Sequence, residues 1–118
     1  MRNHAETSTR QQSPLLERAI AFIRDNAHRD ITLSDIAAAV DVTPRSVQYT
    51  FRRYLGTTPL EYLRRVRLDR AHRELEAADP AVETVTAIAG RWGFSHAGRF
   101  SSVYKKTFGR PPSRTLRG

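Results

Sequence analysis

Two stretches of this chain carry the same pattern of residues, and this internal repeat constrains the fold more than any other feature. The segment from Asp35-Ile36-Ala37 to Gly56 recurs as a segment from Ala87-Ile88-Ala89 to Gly109. The offset is 52 residues at the start and 53 at the end, because one extra residue lies near His96–Gly98. Each copy has the pattern of a short helix, a tight turn, a longer basic helix and a terminating glycine. That order of elements is the helix-turn-helix motif, so two such motifs are predicted.

Local start and stop signals divide the first copy into helices. Thr32 is predicted to cap the short helix, with Asp35 three residues later completing a capping box. Asp41 stands at the sharp turn, where Asp tolerates the left-handed conformation better than most residues. Thr43 then has the features of an N-cap for the longer helix, and Gly56 those of its C-terminal stop.

Similar signals occur in the rest of the chain. A helix is predicted from Pro14 to about Ala27, with apolar residues at helical spacing. A longer helix is predicted from Pro59 to about Ala77, and its apolar residues lie on two faces. Such a helix is expected to contact a different neighbour at each end. Further helix starts are predicted at Thr84, at Ser95 as an N-cap, and at Pro111-Pro112-Ser113.

These signals together predict an all-α fold with two helix-turn-helix subdomains joined by a long central helix. The predicted limits are a disordered lead-in over residues 1–13, a first subdomain over 14–57, a linker helix over 58–79 and a second subdomain over 80–118.

The charge of the chain favours a polyanionic partner. The formal net charge is +8, and no acidic residue follows Glu83, whereas seven Lys and Arg residues do. An ordinary solvated face mixes both signs, so this asymmetry favours a surface that faces phosphates. The arginines of the long helix have acidic neighbours at helical spacing and are interpreted as a solvated face instead.

Several classes of protein are disfavoured by residues that the chain lacks. It has no Cys, which argues against disulfides, zinc fingers and thiol chemistry. No Gly-rich phosphate loop, catalytic Ser–His–acid set or metal-ligand spacing of histidines is present, so neither an enzyme nor a cofactor is predicted. No apolar run approaches the length of a membrane span or signal peptide, which predicts a soluble, cytoplasmic protein.

Two helix-turn-helix motifs on a basic chain indicate double-stranded DNA as the partner. In this motif the first helix crosses the backbone so that the second can lie in the major groove, whose floor distinguishes all four base pairs. The predicted central helix would be roughly 28 Å long, and successive major-groove faces lie about 34 Å apart. One chain could therefore read two adjacent segments, with a footprint of roughly 15–20 base pairs.

Many ordered segments match a known pattern of bacterial regulators. In the first copy they are Ile31-Thr32-Leu33-Ser34-Asp35-Ile36-Ala37, Val42-Thr43-Pro44-Arg45-Ser46-Val47-Gln48-Tyr49-Thr50-Phe51-Arg52-Arg53 and Gly56-Thr57-Thr58-Pro59. Beyond it they are Arg65-Val66-Arg67-Leu68-Asp69-Arg70-Ala71, Ile88-Ala89, Trp92-Gly93-Phe94-Ser95, Phe100, Phe108-Gly109 and Pro112-Ser113. Over residues 14–117 the chain resembles the C-terminal DNA-binding domain of the AraC/XylS family of transcription regulators. The resemblance implies about seven helices, a rigid central helix and a regulator that is more often an activator than a repressor.

The same resemblance assigns candidate DNA contacts. In the first longer helix it implies base reading by Arg45, Ser46, Gln48 and Tyr49. In the second longer helix it implies base reading by His96, Ala97, Gly98 and Ser102. Phosphate contacts are assigned to Thr43, Arg52, Arg53, Arg99, Lys105 and Lys106. Arginine pairs well with guanine and glutamine with adenine, whereas alanine and glycine have no side-chain donors. The first motif is therefore expected to carry most of the sequence information.

Two alternatives to a sequence-specific regulator remain open. A non-specific architectural DNA binder would use the same basic surface without preferring any sequence. A helical interaction module would dock its basic face on an acidic protein. For the regulator, RNA polymerase is a candidate second partner, the expected location is the nucleoid in the cytoplasm, and no effector ligand is expected to bind within this segment.

Overall fold

The structure, a computed structural model, describes residues 13–118, and residues 1–12 of the predicted lead-in lie outside them. This part of the chain contains seven helices and no strand, which confirms the all-α prediction. The helices are α1 (Pro14–Asn26), α2 (Leu33–Ala39), α3 (Pro44–Leu55), α4 (Pro59–Ala77), α5 (Val85–Arg91), α6 (Ala97–Phe108) and α7 (Pro112–Arg117).

Side-chain caps define most helix starts as the sequence predicts. The Thr32 hydroxyl accepts a bond from the Asp35 N–H at 3.1 Å, and the Asp35 carboxylate accepts one from the Thr32 N–H at 2.9 Å. This reciprocal pair is the predicted capping box. Ser13 was expected to belong to the lead-in, but its hydroxyl accepts a bond from the Leu16 N–H and caps α1. Ser13 is only 7% exposed, so it belongs to the folded unit rather than to the lead-in.

The chain divides into two compact units, and the boundary lies between Arg64 and Arg65, inside α4. The two-faced pattern of α4 agrees with this division. Leu63 is buried before the boundary, and the buried residues Leu68 and Leu75 follow it at a different rotation about the helix axis.

The first unit is built on α1, α2 and α3, which pack against one another. Their buried residues include Ile23, Ile36, Val47 and Phe51, all at most 1% exposed. The ring of Phe51 meets that of Tyr62 edge to face, with centroids 5.7 Å apart. This arrangement is favourable for aromatic pairs, and it ties the start of α4 to α3.

The second unit has its own apolar core. Ala71 and Leu75 of α4 pack with Ile88 of α5 and with Phe100 and Tyr104 of α6. The partly buried side chains Trp92 and Phe94 pack against this core. Helix α7 contacts both α5 and α6.

The repeat extends beyond the two helix-turn-helix motifs. Leu16, Ala19 and Ile23 of α1 are buried, and the residues 52 positions later, Leu68, Ala71 and Leu75, are buried in α4. Likewise α7 begins 53 residues after α4 does, each with a proline at its first position. The first half of α4 therefore corresponds to α7, and its second half corresponds to α1. One helix completes the first copy and begins the second.

Equivalent core positions in the two copies use different chemistry. Tyr104 lies 53 residues after Phe51, and it too is fully buried. Its hydroxyl donates to the Thr115 hydroxyl at 2.7 Å and lies 2.6 Å from Nδ1 of His72. Burial raises the pKa of the Tyr104 phenol, since the charged form would lose its hydration.

We expect Tyr104→Phe to lower the free energy of unfolding by about 1–3 kcal/mol, because Thr115 and His72 would lose a hydrogen-bond partner. Denaturant unfolding of both proteins measures this difference. The same change at the exposed Tyr49 is the control and should alter stability by less than about 0.5 kcal/mol. Equal effects at the two positions would contradict a structural role for the Tyr104 hydroxyl.

The raised pKa of Tyr104 makes the stability of the fold depend on pH in a definite direction. The folded state holds this proton more tightly than the unfolded chain, so the stabilisation is complete below the ordinary tyrosine pKa of about 10. It is lost as the pH rises through the higher folded-state pKa. Unfolding measured against pH should show this loss in the wild type and not in Tyr104→Phe.

Candidate nucleic-acid interface

The first helix-turn-helix motif consists of α2, a four-residue turn and α3. The N–H groups of Val40 and Val42 both donate to the carbonyl of Ala37, at 3.2 and 3.1 Å. Between them Asp41 adopts the left-handed conformation with φ of 63°, as predicted. Thr43 then caps α3 through the Ser46 N–H at 3.1 Å, and this also agrees with the sequence.

The outward face of α3 carries the predicted base-reading residues together. Arg45, Ser46, Gln48 and Tyr49 are all exposed, and their spacing places them on neighbouring positions of one helix face. The Tyr49 side chain is 66% exposed although it is aromatic. Val47 is 1% exposed on the opposite side, so α3 displays polar groups outward because its apolar residues are buried.

The predicted phosphate contacts of the first motif lie at the two ends of α3. Thr43 precedes the helix, and Arg52 and Arg53 are exposed in its last turn. The carboxylate of Glu61 accepts a bond from the Thr57 hydroxyl at 2.9 Å. That bond and one from the Thr58 backbone lower the pKa of Glu61, and the charge of Arg52 contributes further. In the first unit the negative charge of Glu61 therefore lies close to Arg52, one of the candidate phosphate contacts.

The second motif, formed by α5 and α6, repeats this geometry as far as its turn. The N–H groups of Trp92 and Phe94 both donate to the carbonyl of Ala89, at 3.1 and 3.0 Å. Gly93 has φ of 86° at the position equivalent to Asp41. Up to this point each residue lies 52 positions after its counterpart.

The extra residue of the second copy lies in the turn. Five residues separate α5 from α6, whereas four separate α2 from α3. The predicted N-cap at Ser95 is therefore wrong, because the insertion moves Ser95 one position before the cap. His96 occupies the N-cap of α6, and it makes no side-chain capping bond.

The structural register changes which residues of α6 correspond to the reading positions of α3. An offset of 53 pairs Arg45 with Gly98, Ser46 with Arg99, Gln48 with Ser101 and Tyr49 with Ser102. The predicted residues His96, Ala97, Gly98, Arg99 and Ser102 are all exposed. Ser101 was not among the predicted residues, although counting one residue forward from Phe100, which matches Val47, would have placed it opposite Gln48. Arg99, predicted as a phosphate contact, lies at the register of a base-reading residue.

The second unit is the more basic of the two around its candidate interface. Lys105 and Lys106 are exposed in the last turn of α6, at the register of Arg52 and Arg53. Arg114 stands at the register of Glu61, so a cation replaces an anion there. Arg91 of this unit is ion-paired with Glu83 at 2.8 Å and with Glu74.

Over residues 13–118, no group of three or more His, Cys, Asp or Glu side chains could hold a metal ion. None of the seven helices combines the length and the apolar character needed to cross a membrane.

The caps of α3 and α6 give a matched test of the local geometry. Thr43→Ala should lower the free energy of unfolding by about 1 kcal/mol, because the Ser46 N–H loses its acceptor. His96→Ala should change it by less than about 0.5 kcal/mol, since the His96 side chain caps nothing. Thermal or denaturant unfolding of both variants checks this, and an equal loss in the two would contradict the assigned caps.

Comparisons with known proteins agree with the two-motif fold. The family of helix-turn-helix domains matches residues 36–118. A probable thc operon regulatory protein of Rhodococcus erythropolis is 46% identical over 84% of this chain, and a XylDLEGF operon transcriptional activator of Pseudomonas putida is 39% identical over 89% of it. The chain spans 30% and 32% of the lengths of these two relatives. The crystal structure of a probable AraC family transcriptional regulator from Rhodopseudomonas palustris has a TM-score of 0.81 and 36% identity, and the match covers 89% of this chain and 96% of that one.

Proposed function

Since this chain belongs to the AraC/XylS family of helix-turn-helix transcription regulators, we propose that it binds double-stranded DNA sequence-specifically through both motifs. Helices α3 and α6 enter two adjacent major grooves. The observation that carries this proposal is the amphipathic build of both helices. Each buries an apolar face in its own unit and leaves a polar, acid-free face exposed, on a chain of net charge +8. A groove-reading helix needs such a face, because base edges and phosphates offer it hydrogen-bond partners and negative charge.

The two motifs divide the work of recognition. Arg45 and Gln48 supply long side chains for base edges in the first motif, with Ser46 and Tyr49 beside them. In the second motif the equivalent positions hold Gly98, Arg99, Ser101 and Ser102, so Arg99 is its one long base-reading side chain. Lys105 and Lys106 bind the phosphate backbone there, as Arg52 and Arg53 do in the first motif. The first motif therefore contributes most of the sequence preference and the second most of the salt-dependent affinity.

The whole regulator is proposed to be a transcription activator, as the printed name of the Pseudomonas relative describes that protein. RNA polymerase is then its second partner. An effector ligand would bind outside this segment, because these two relatives are about three times longer than the chain. We assign the segment no reaction of its own, and we place it on the nucleoid in the bacterial cytoplasm.

The two alternatives differ from this proposal in measurable ways. An architectural binder would bind all duplexes alike, and an interaction module would need no duplex. The apolar packing is compatible with the proposal and with both alternatives. The exposed face from Arg45 to Tyr49 supports the sequence-specific regulator, because non-specific binding does not require side chains suited to base edges.

Two variants separate base reading from backbone binding. Gln48→Ala should cost about 1–3 kcal/mol on the duplex selected from a random pool, and it should relax the preference at one base pair. Lys105→Ala should weaken binding to every duplex alike and reduce the salt slope of affinity by about one. Titrations at several salt concentrations measure both effects, with Arg24→Ala on the outer face of α1 as the control. An equal loss for Gln48→Ala on selected and random DNA would favour the architectural alternative.

An insertion in α4 tests whether both motifs bind at once. Two alanines placed between Arg64 and Arg65 should rotate the two halves of the helix by about 200° relative to each other, at about 100° per residue. We expect tight binding to the selected duplex to be lost while thermal unfolding shows that both units remain folded. Undiminished affinity for the same duplex would contradict simultaneous docking.

A further inference from the structure

An arginine of α1 reaches the turn of the first motif. The Arg18 guanidinium donates from Nη2 to the carbonyl of Val40 at 3.3 Å. Val40 is the C-cap of α2, and the next residue is Asp41, with its positive φ of 63°. The last carbonyls of a helix lack partners within that helix, and a cation near them also interacts favourably with the negative end of the helix dipole. This contact therefore satisfies a backbone group at the point where the chain turns towards α3.

The second unit has a contact in the same place, made by different chemistry. Arg70 lies 52 residues after Arg18, and its guanidinium stands 5.9 Å from the centroid of the Trp92 ring. Trp92 is the C-cap of α5 and lies 52 residues after Val40. Its indole Nε1–H donates to the carboxylate of Glu74 at 2.8 Å, so α4 holds this residue from two sides.

We propose that Arg18 and Arg70 are positioning residues for DNA recognition. Each ties the helix that precedes its motif to the residue at which the turn begins, and so restrains the angle at which α3 or α6 leaves the turn. The effect on DNA binding rests on the proposed function, whereas the restraint on the turn does not depend on it. Neither arginine needs to touch DNA.

The exposure of Arg18 makes this role separable from folding. Arg18 is exposed, whereas the core of the first unit is filled by Ile23, Ile36 and Phe51. Removal of the guanidinium should therefore leave the fold intact and loosen only the turn. A displacement of about 1 Å in the direction of α3 is enough to misplace bidentate contacts with bases.

The test compares Arg18→Met, Arg18→Lys and Arg24→Met. Arg24 is exposed on the same helix, and its replacement removes the same charge without touching the turn. Arg18→Met should lose about tenfold in affinity for the selected duplex, a loss of the order expected for one hydrogen bond from a charged donor. Arg24→Met should lose less than about threefold, and Arg18→Lys should regain most of the loss because its ammonium can donate to the same carbonyl. Thermal unfolding of all three should resemble that of the wild type.

A second readout needs no DNA. Hydrogen exchange at the Val42 N–H, which bonds to the Ala37 carbonyl across the turn, should be about tenfold faster in Arg18→Met and unchanged in Arg24→Met. Unchanged exchange, an equal affinity loss in Arg24→Met or no recovery in Arg18→Lys would each overturn the proposal. If the wild-type chain selects no duplex, the proposed function is wrong. The exchange rates at the Val42 N–H would still show whether Arg18 restrains the turn.

The single tryptophan reports on the second unit in the same way. Arg70→Met should make Trp92 more accessible to a soluble quencher and lower the affinity for the selected duplex. Arg65, which pairs with Asp69 on the same helix, supplies the control. The change Arg65→Met also removes a positive charge from α4 but does not alter a contact with Trp92. Equal quenching of Trp92 in Arg70→Met and Arg65→Met would show that Arg70 does not restrain this turn.

Discussion

The display of the candidate reading residues depends on the burial of the opposite face of the same helix. Val47 and Phe51 hold α3 against its unit, and Phe100 and Tyr104 do the same for α6. A helix rotated by one residue would turn through about 100°, which would bring polar side chains into the core and move apolar ones towards solvent. The apolar contacts therefore determine which side chains reach solvent, and the caps and turns refine the direction in which they point.

The two copies keep one backbone plan while their chemistry differs. At the same position one copy pairs two aromatic rings, Phe51 and Tyr62, and the other links Tyr104 to Thr115 by a hydrogen bond. An uncapped start in α6 replaces the threonine cap of α3. The backbone restraint at each step is similar, whereas the exposed chemistry is free to change. Two units with nearly equal folds can therefore contact DNA in unequal ways.

Most of the secondary structure could be predicted because its signals are local. Capping residues, prolines at helix starts and Gly56 act within one turn of helix, so the sequence alone indicates where α2, α3 and α4 begin and end. The N-cap of α6 could not be predicted in this way, because the position of an inserted residue depends on which hydrogen bonds the turn keeps. Phe94 keeps its bond to Ala89, which forces the extra residue to come after it. Ser101 differs in this respect, because the match of Phe100 with Val47 already places it opposite Gln48 in the sequence.

The full extent of the repeat is present in the sequence but is easily overlooked. Leu16-Glu17-Arg18-Ala19 recurs 52 residues later as Leu68-Asp69-Arg70-Ala71, and the burial of Leu16 and Leu68 in equivalent positions shows that α1 and the second half of α4 correspond. The roles of the individual reading residues stay predictions, since exposure places them on one face without identifying a base.

Because α4 ends the first copy and begins the second, the repeat could in principle be extended. Helix α7 begins at a proline 53 residues after the proline that begins α4, so α7 corresponds to the first half of α4. If a segment like the second half of α4 were fused to the end of α7, the resulting long helix could begin a third copy as α4 begins the second. A designed array of three or more modules would then need no new loop, and its length would grow by about 52 residues for each module added.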